Sequence, residues 1–130
     1  DYGRGAAGEG NMTKFRVKPT QKENWRYIAF EIISDSAPKE GEVVRTMVSS
    51  ILRFLGELGA SDTNIWMMEY AAEKRQGIIR CSHDAVRDVV ASITLVSKIE
   101  EKKAAFNVRG VSGTVKKCRE KYLISVKNER

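Results

Sequence analysis

The sequence predicts an α+β domain built on an antiparallel sheet, and two observations carry this prediction. Short segments rich in aromatic and β-branched residues, typical of strands, alternate with longer segments in which apolar residues recur every three or four positions, typical of helices. A short polar connection at 74–77, KRQG, joins the second and third strand segments as a hairpin does. The chain has 130 residues, which is enough for one domain with its own core.

The predicted elements follow one another in a defined order. The strands are predicted at 27–33, 65–71, 78–81 and 104–111. The helices are predicted at 39–58, at a segment whose inner residues are Val86, Val89, Val90 and Ile93, and at 114–123. Gly59 is predicted to end the first helix.

This order, strand–helix–strand–strand–helix–strand, is the split βαβ pattern of ferredoxin-like domains, which RRM modules share. We expect a four-stranded antiparallel sheet with both long helices on one face, and the C-terminal helix over part of the other face. RNA-binding modules, small-molecule sensors and enzymes all use this fold, so the fold alone does not assign a function. The third strand lacks the aromatic residues on which an RRM stacks bases.

The composition divides the chain into three parts. Residues 1–25 are predicted to be a flexible N-terminal arm, whose glycine-rich start at 1–11 is either native or left over from expression. Residues 26–123 are predicted to form a single ferredoxin-like domain, and residues 124–130 a C-terminal tail. No apolar run approaches the ~20 residues of a membrane span, and the chain begins without a signal-peptide pattern, so we expect an intracellular protein.

The positive charge is concentrated at the C-terminal end. The chain has a formal net charge of +6, whereas residues 102–130 hold nine Lys or Arg against two Glu, a net charge of +7. The preceding residues are therefore close to neutral. Such asymmetry favours a polyanionic partner, although a solvated tail is an alternative.

The segment GVSGTVKKCREKYL at 110–123 carries most of the functional signal. Two glycines flank a serine at the predicted start of a helix, where backbone N–H groups can meet a phosphate, and a basic run follows. The run is extended and lacks a Walker-type lysine, so it suits a sugar–phosphate backbone better than one nucleotide. With two arginines of the strands, the predicted RNA-binding residues are Arg80, Arg109, Ser112, Gly113, Thr114, Lys116, Lys117, Arg119 and Lys121.

Other candidate sites are weaker. Cys81 and His83 are close enough in sequence to form a nucleophile–base pair, but no oxyanion hole is evident, so no catalytic residue is predicted. The cysteines and the single histidine match no metal-site spacing, so no metal site is predicted either. Strict alternation puts Trp66, Met68 and Tyr70 on one side of the second strand, which predicts a protein interface there.

Five blocks of the sequence are similar to those of a known family. The blocks are RYIAFEII (26–33), LGELG (55–59), GIIRC (77–81), TLVSKI (94–99) and GVSGTVKKCREKYL (110–123). They occur in the family's order and cover nearly all of 26–123. The chain thus resembles the ribonuclease P protein component 2 family, the small Pop-family subunits of archaeal and eukaryotic ribonuclease P.

The resemblance implies an RRM-like fold and a noncatalytic role in 5′-end maturation of precursor tRNA. The catalyst would be the ribonuclease P RNA, which uses Mg²⁺, and this chain would hold no cofactor. The implied partners are that RNA, precursor tRNA indirectly, and ribonuclease P protein component 3, with a homodimer inside a heterotetramer. The expected location is cytoplasmic in an archaeon and nuclear or nucleolar in a eukaryote. The alternative from the residues alone is a scaffolding or ligand-sensing module without an RNA role.

Overall fold

The computed structural model describes residues 24–123. The predicted tail at 124–130 and nearly all of the predicted arm at 1–25 lie outside these residues. The strands are β1 (Trp25–Ser34), β2 (Trp66–Ala71), β3 (Gln76–Ser82), β4 (Lys98–Ile99) and β5 (Lys102–Ser112). The helices are α1 (Glu40–Thr63), α2 (Val86–Thr94) and α3 (Val115–Cys118), and a π-helical turn over Arg119–Leu123 continues α3. We call residues 115–123 the C-terminal helix.

The strands form one sheet in the order β2-β3-β1-β5-β4, and all neighbouring strands are antiparallel. The sheet has five strands, so the predicted number of four is wrong. The missed strand, β4, has two residues and pairs with the beginning of β5. Glu100 and Glu101 connect β4 to β5, and both have positive φ. Asn and Gly normally mark such a turn, so the sequence contains no signal for this hairpin.

One face of the sheet packs against both long helices. Ile28, Phe30 and Ile32 alternate onto this face from β1 and are almost completely buried. The helix residues that meet them in the same apolar cluster are Val43, Met47 and Ile51 of α1 with Val89 and Ile93 of α2. This cluster is the main core, and we call this side of the sheet the helix face.

The C-terminal helix packs on the opposite face of the sheet, which we call the second face. Cys118 is fully buried against Ala29 and Ile78, and Tyr122 and Leu123 pack around this second cluster. A Cβ atom on Gly110 would lie 2.1 Å from the Tyr122 ring, so the ring rests directly on the backbone of β5. The C-terminal helix therefore covers the middle of the second face.

The first helix ends later than predicted. α1 continues to Thr63, and Asn64, with φ 52° and ψ 42°, terminates it in the left-handed region. Gly59 does not stop the helix; instead, Gly56 interrupts it with φ 79° and ψ 173°. Leu58 lies just beyond this kink and is 84% exposed. Two glycines three positions apart offer the same signal in sequence, and only the structure decides which one takes the positive φ.

Replacing Gly110 with Ala is expected to loosen the C-terminal helix. The new methyl group would overlap the Tyr122 ring, which must leave its place in the second cluster. Overpacking of this kind costs roughly 1–3 kcal/mol. Urea unfolding measures this cost, and adding Tyr122→Ala should remove most of it because the overlapping ring is then gone.

Gly113→Ala is the matched control, because a Cβ atom on Gly113 would have no other atom within 4 Å and the residue has no positive φ. Its free energy of unfolding should stay within about 0.5 kcal/mol of wild type. Equal effects of the two substitutions would contradict the close contact between Tyr122 and Gly110.

Candidate nucleic-acid interface

A row of side chains crosses one end of the second face. The strand registers place Trp66 opposite Arg80, Arg80 opposite Tyr27, and Tyr27 opposite Ser112. Directly opposed residues of antiparallel strands share a face, and Tyr27 packs into the second cluster beneath the C-terminal helix. The row therefore joins β2, β3, β1 and β5 at the level where the C-terminal helix begins.

Arg80 is held in this row by an aromatic ring. Its guanidinium carbon lies 4.1 Å from the centroid of the Trp25 ring, a cation–π geometry. Trp25 lies two residues before Tyr27 on β1 and so faces the same side of the sheet. Sequence reasoning missed this role because Trp25 fell at the end of the predicted arm, whereas it is the first residue of β1.

Ser112, Gly113 and Thr114 lead from this row into the C-terminal helix. The Thr114 hydroxyl accepts a hydrogen bond from the backbone N–H of Lys117 at 3.1 Å, so one of the free N–H groups at the helix start is already satisfied. Only four residues of this helix are α-helical, so its dipole is small. Gly113 lacks both the positive φ and the close contact that require glycine. Any affinity of this turn for phosphate must therefore come from the lysines that follow.

Lys116, Lys117 and Lys121 lie on the outer side of the C-terminal helix. All three are exposed, and none forms an ion pair with an acid within the described part of the chain. Val115, Cys118 and Tyr122 form the inner side of the same helix. The ammonium group of Lys121 also lies 5.7 Å from the centroid of the Tyr122 ring. The lysine charges are presented to solvent by a helix whose buried contacts come from its inner side.

The two remaining arginines of the predicted site are held by carboxylates. The Arg119 guanidinium donates three hydrogen bonds to the Glu69 carboxylate, one from Nη2 at 2.6 Å and two from Nε at 3.2 Å, and the bonded carboxylate raises the pKa of Arg119. Arg109 donates to the Glu31 carboxylate at 3.0 Å. Arg119 thus fastens the C-terminal helix to β2, and Arg109 lies on another part of the second face. Their predicted contact with RNA stays a prediction.

The Cys81–His83 pair is not arranged for catalysis. Cys81 is completely buried in the main core, and this burial raises its pKa to about 12. His83 is exposed in a 3₁₀ turn over His83–Ala85. The thiol is therefore protonated at neutral pH and inaccessible to a substrate. Within residues 24–123, no three His, Cys, Asp or Glu side chains are grouped as metal ligands.

The three residues of the predicted protein interface do not share one side of β2. The pairing of β2 with β3 shifts register between Met67 and Glu69, which makes Met68 a bulge. Met68 consequently packs on the second face, whereas Tyr70 joins the main core beside Phe30. The Tyr70 hydroxyl also donates to the Pro38 carbonyl oxygen at 2.6 Å. The prediction that Trp66, Met68 and Tyr70 form one exposed surface is wrong, because a bulge reverses the alternation between Met68 and Tyr70.

Large apolar side chains are exposed on the helices instead. Leu52, Phe54 and Leu58 of α1 are 41%, 50% and 84% exposed, and Leu95, just after α2, is 63% exposed. No helix among the described residues is long and apolar enough to span a membrane. Four of the six large apolar residues that are exposed among residues 24–123 thus lie on α1 or just after α2.

The chain is similar to archaeal proteins over most of its length. It is 41% identical over 107 residues to ribonuclease P protein component 2 of Pyrococcus furiosus, which covers 82% of this chain and 89% of that protein. It is 40% identical over 107 residues to the component 2 protein of Methanocaldococcus jannaschii, covering 82% and 78% of the two chains. It is 38% identical over 108 residues to that of Methanosarcina acetivorans, covering 83% and 80%.

A solved structure and a family model extend this comparison. A chain of a cryo-EM structure of yeast ribonuclease MRP superposes with a TM-score of 0.57 at 15% identity, covering 82% of this chain and 91% of that chain. At this identity the match indicates a shared fold. The sequence model of the Rpp14/Pop5 family matches residues 26–123, which is the whole of the described domain apart from its first two residues. The chain belongs to the Rpp14/Pop5 family.

Proposed function

We propose that the protein is a noncatalytic, RNA-binding subunit of ribonuclease P that supports the catalytic RNA in 5′-end maturation of precursor tRNA. The observation that carries this proposal is the set of three exposed lysines, Lys116, Lys117 and Lys121, without acidic partners among residues 24–123. Membership of the Rpp14/Pop5 family and the component 2 relatives support the assignment to ribonuclease P. The buried Cys81 thiol supports the noncatalytic role.

We also propose that the domain has the ferredoxin-like fold, with its split βαβ arrangement. The order β2-β3-β1-β5 with antiparallel neighbours supports this proposal, and β4 extends the sheet at one edge. Both long helices pack on the helix face, in agreement with this topology. The domain would thus be an RRM-like module whose second face is partly covered.

The C-terminal helix covers the middle of the second face, and this determines how the domain would bind RNA. RRMs stack unpaired bases on aromatic residues of the central strands. Here Cys118 of the C-terminal helix lies over Ala29 and Ile78, in the middle of the corresponding face. Contacts from Lys116 and its neighbours to the sugar–phosphate backbone are therefore favoured over base stacking at the centre of the sheet.

The proposed partners are the ribonuclease P RNA directly and precursor tRNA indirectly. Mg²⁺ would act on the RNA and not on this chain. We also propose binding to ribonuclease P protein component 3 and a homodimer within a heterotetramer. The exposed apolar residues of α1, above all Phe54 and Leu58, support a protein contact on the solvent-exposed side of this helix. The proposed location is the cytoplasm if the source is an archaeon and the nucleus or nucleolus if it is a eukaryote.

Replacing Lys116, Lys117 and Lys121 together with Ala is expected to weaken RNA binding without unfolding the domain. Each neutralised phosphate releases counterions, so losing three contacts should flatten the slope of log affinity against log salt by up to about 2.7 units. A filter-binding titration of the ribonuclease P RNA over a range of salt concentrations measures this slope. Arg119 is left intact because its bond to Glu69 fastens the C-terminal helix.

The matched control replaces the same three lysines with Arg, which keeps the charge. Its slope should equal that of the wild type. An Ala variant that binds as tightly as wild type at every salt concentration would mean that these lysines are merely solvated, and would overturn their role.

The combined Cys81→Ala and His83→Ala variant should retain cleavage within a few-fold of wild type. The physical reason is that the Cys81 thiol is buried and protonated, so it cannot act as a nucleophile at neutral pH. Cleavage of precursor tRNA is measured at low Mg²⁺ after reconstitution with the ribonuclease P RNA and component 3. A loss of several orders of magnitude in a variant with a normal circular dichroism spectrum would contradict the noncatalytic role.

A further inference from the structure

The C-terminal helix leaves a second region of the second face open, away from Arg80 and Ser112. At its centre Ile33 of β1 lies directly opposite Ala105 of β5, and both are exposed, Ile33 by 55%. Asn107 and Glu31 form the next pair on this face along β5 and β1. Asn107 is also exposed and donates a hydrogen bond to the Glu31 carboxylate. Because Ile33, Ala105 and Asn107 are exposed, no described element packs over this part of the face.

Two like charges lie side by side at the edge of this region. Lys98 of β4 is directly opposite Lys103 of β5, and both lysines are exposed. The alternation of β5 puts Lys103 on the same face as Ala105. Like charges directly opposite each other destabilise a strand pair. Neither lysine forms an ion pair with an acid among residues 24–123, so both charges remain available.

The hairpin that carries this pair is fixed to the domain. Ile99 is 3% exposed and belongs to the main core. Glu100 forms an ion pair with Arg45 of α1 at 3.2 Å, which directs this acid toward α1. Ala104 donates a backbone hydrogen bond to Ser97 at 3.1 Å and so extends the pairing beyond Lys98. These contacts keep the backbone positions of the two lysines opposite each other despite the repulsion between their charges.

We propose that this region, which we call the lysine-pair face and which comprises Ile33, Lys98, Lys103, Ala105 and Asn107, is a second contact surface for the RNA backbone. The inference rests on the proposed RNA-binding function and adds a separate site to it. Arg109 and Glu31 neutralise each other beside it, so the two lysines set the charge of the surface. An exposed lysine pair complements successive phosphates, and a small side chain at Ala105 lets the sugar–phosphate chain approach the sheet.

A protein partner fits this surface less well. A stable protein interface buries about 800 Å² on each partner and has a core depleted in charged residues. The apolar centre of the lysine-pair face consists of Ile33 and Ala105, and the repelling lysines adjoin it. The surface therefore suits a polyanion.

The first test replaces Lys98 and Lys103 with Ala and measures binding of the ribonuclease P RNA against salt concentration. Losing two phosphate contacts should flatten the slope by up to about 1.8 units and weaken binding about tenfold or more at 0.1 M salt. The control variant, Arg53→Ala with Arg87→Ala, removes the same charge from exposed positions of α1 and α2. Its slope should stay close to that of the wild type.

The second test shows whether the bound RNA lies against the lysine-pair face. Cys81 and Cys118 are completely buried, so a cysteine introduced at Ala105 can be labelled selectively with a short photo-crosslinker. We expect Ala105→Cys to crosslink to the ribonuclease P RNA. The control is Leu58→Cys on α1, a position where the wild-type leucine is 84% exposed. This variant should not crosslink to the RNA.

The outcomes separate this inference from the proposed function. If the Lys98/Lys103 variant and its arginine control behave alike while the Lys116/Lys117/Lys121 variant loses affinity, the lysine-pair face is not an RNA contact and the proposed function stands. Crosslinking of Ala105→Cys to component 3 or to a second copy of the chain, and not to RNA, also overturns the inference. Failure of the wild-type protein to bind the RNA would overturn both.

Discussion

The packing of Cys118 against Ala29 and Ile78 is the contact on which the rest of the second face depends. It buries the thiol completely and seats the C-terminal helix across the middle of the sheet. The apolar contacts supply most of the stabilisation, since burying one side chain of this kind contributes about 1–3 kcal/mol. The ion pair between Arg119 and Glu69 is 41% and 37% exposed in its side chains, so water and salt screen it and it mainly sets the orientation of the helix.

This one contact divides the second face into two open regions with different chemistry. At one end, Arg80 lies over the Trp25 ring beside the turn that begins the C-terminal helix. At the other end, Lys98 and Lys103 lie opposite each other on the β4–β5 hairpin. The centre, where an RRM would stack bases, is occupied by the domain's own helix. We therefore expect an RNA bound to this face to be held by its phosphates, at the lysines of the C-terminal helix and at the lysine-pair face, and not by its bases at the centre.

The features that could be predicted from the sequence are those that follow from local periodicity. The inner position of Cys118 follows from the three- and four-residue spacing of its helix. The features that were missed depend on departures from periodicity or on distant partners. The bulge at Met68 reverses the side-chain alternation of β2. The turn at Glu100 has positive φ, but no glycine in the sequence indicates it. The partner of Arg119 is 50 residues away, and the ring beneath Arg80 comes from the first residue of β1, so neither pairing leaves a local signal.

The central question is whether this domain binds RNA through phosphate contacts on its second face. Lysine acetylation footprinting tests this most directly: the lysines are acetylated with and without bound ribonuclease P RNA, and mass spectrometry measures how far each one has reacted. All the lysines concerned are exposed and can react in the free protein. Bound RNA should protect the lysines of the lysine-pair face and those on the outer side of the C-terminal helix, which are Lys98, Lys103, Lys116, Lys117 and Lys121. Lys39, which immediately precedes α1, should react equally in both states. Protection of Lys39 with unchanged reactivity of the second-face lysines would contradict this mode of binding.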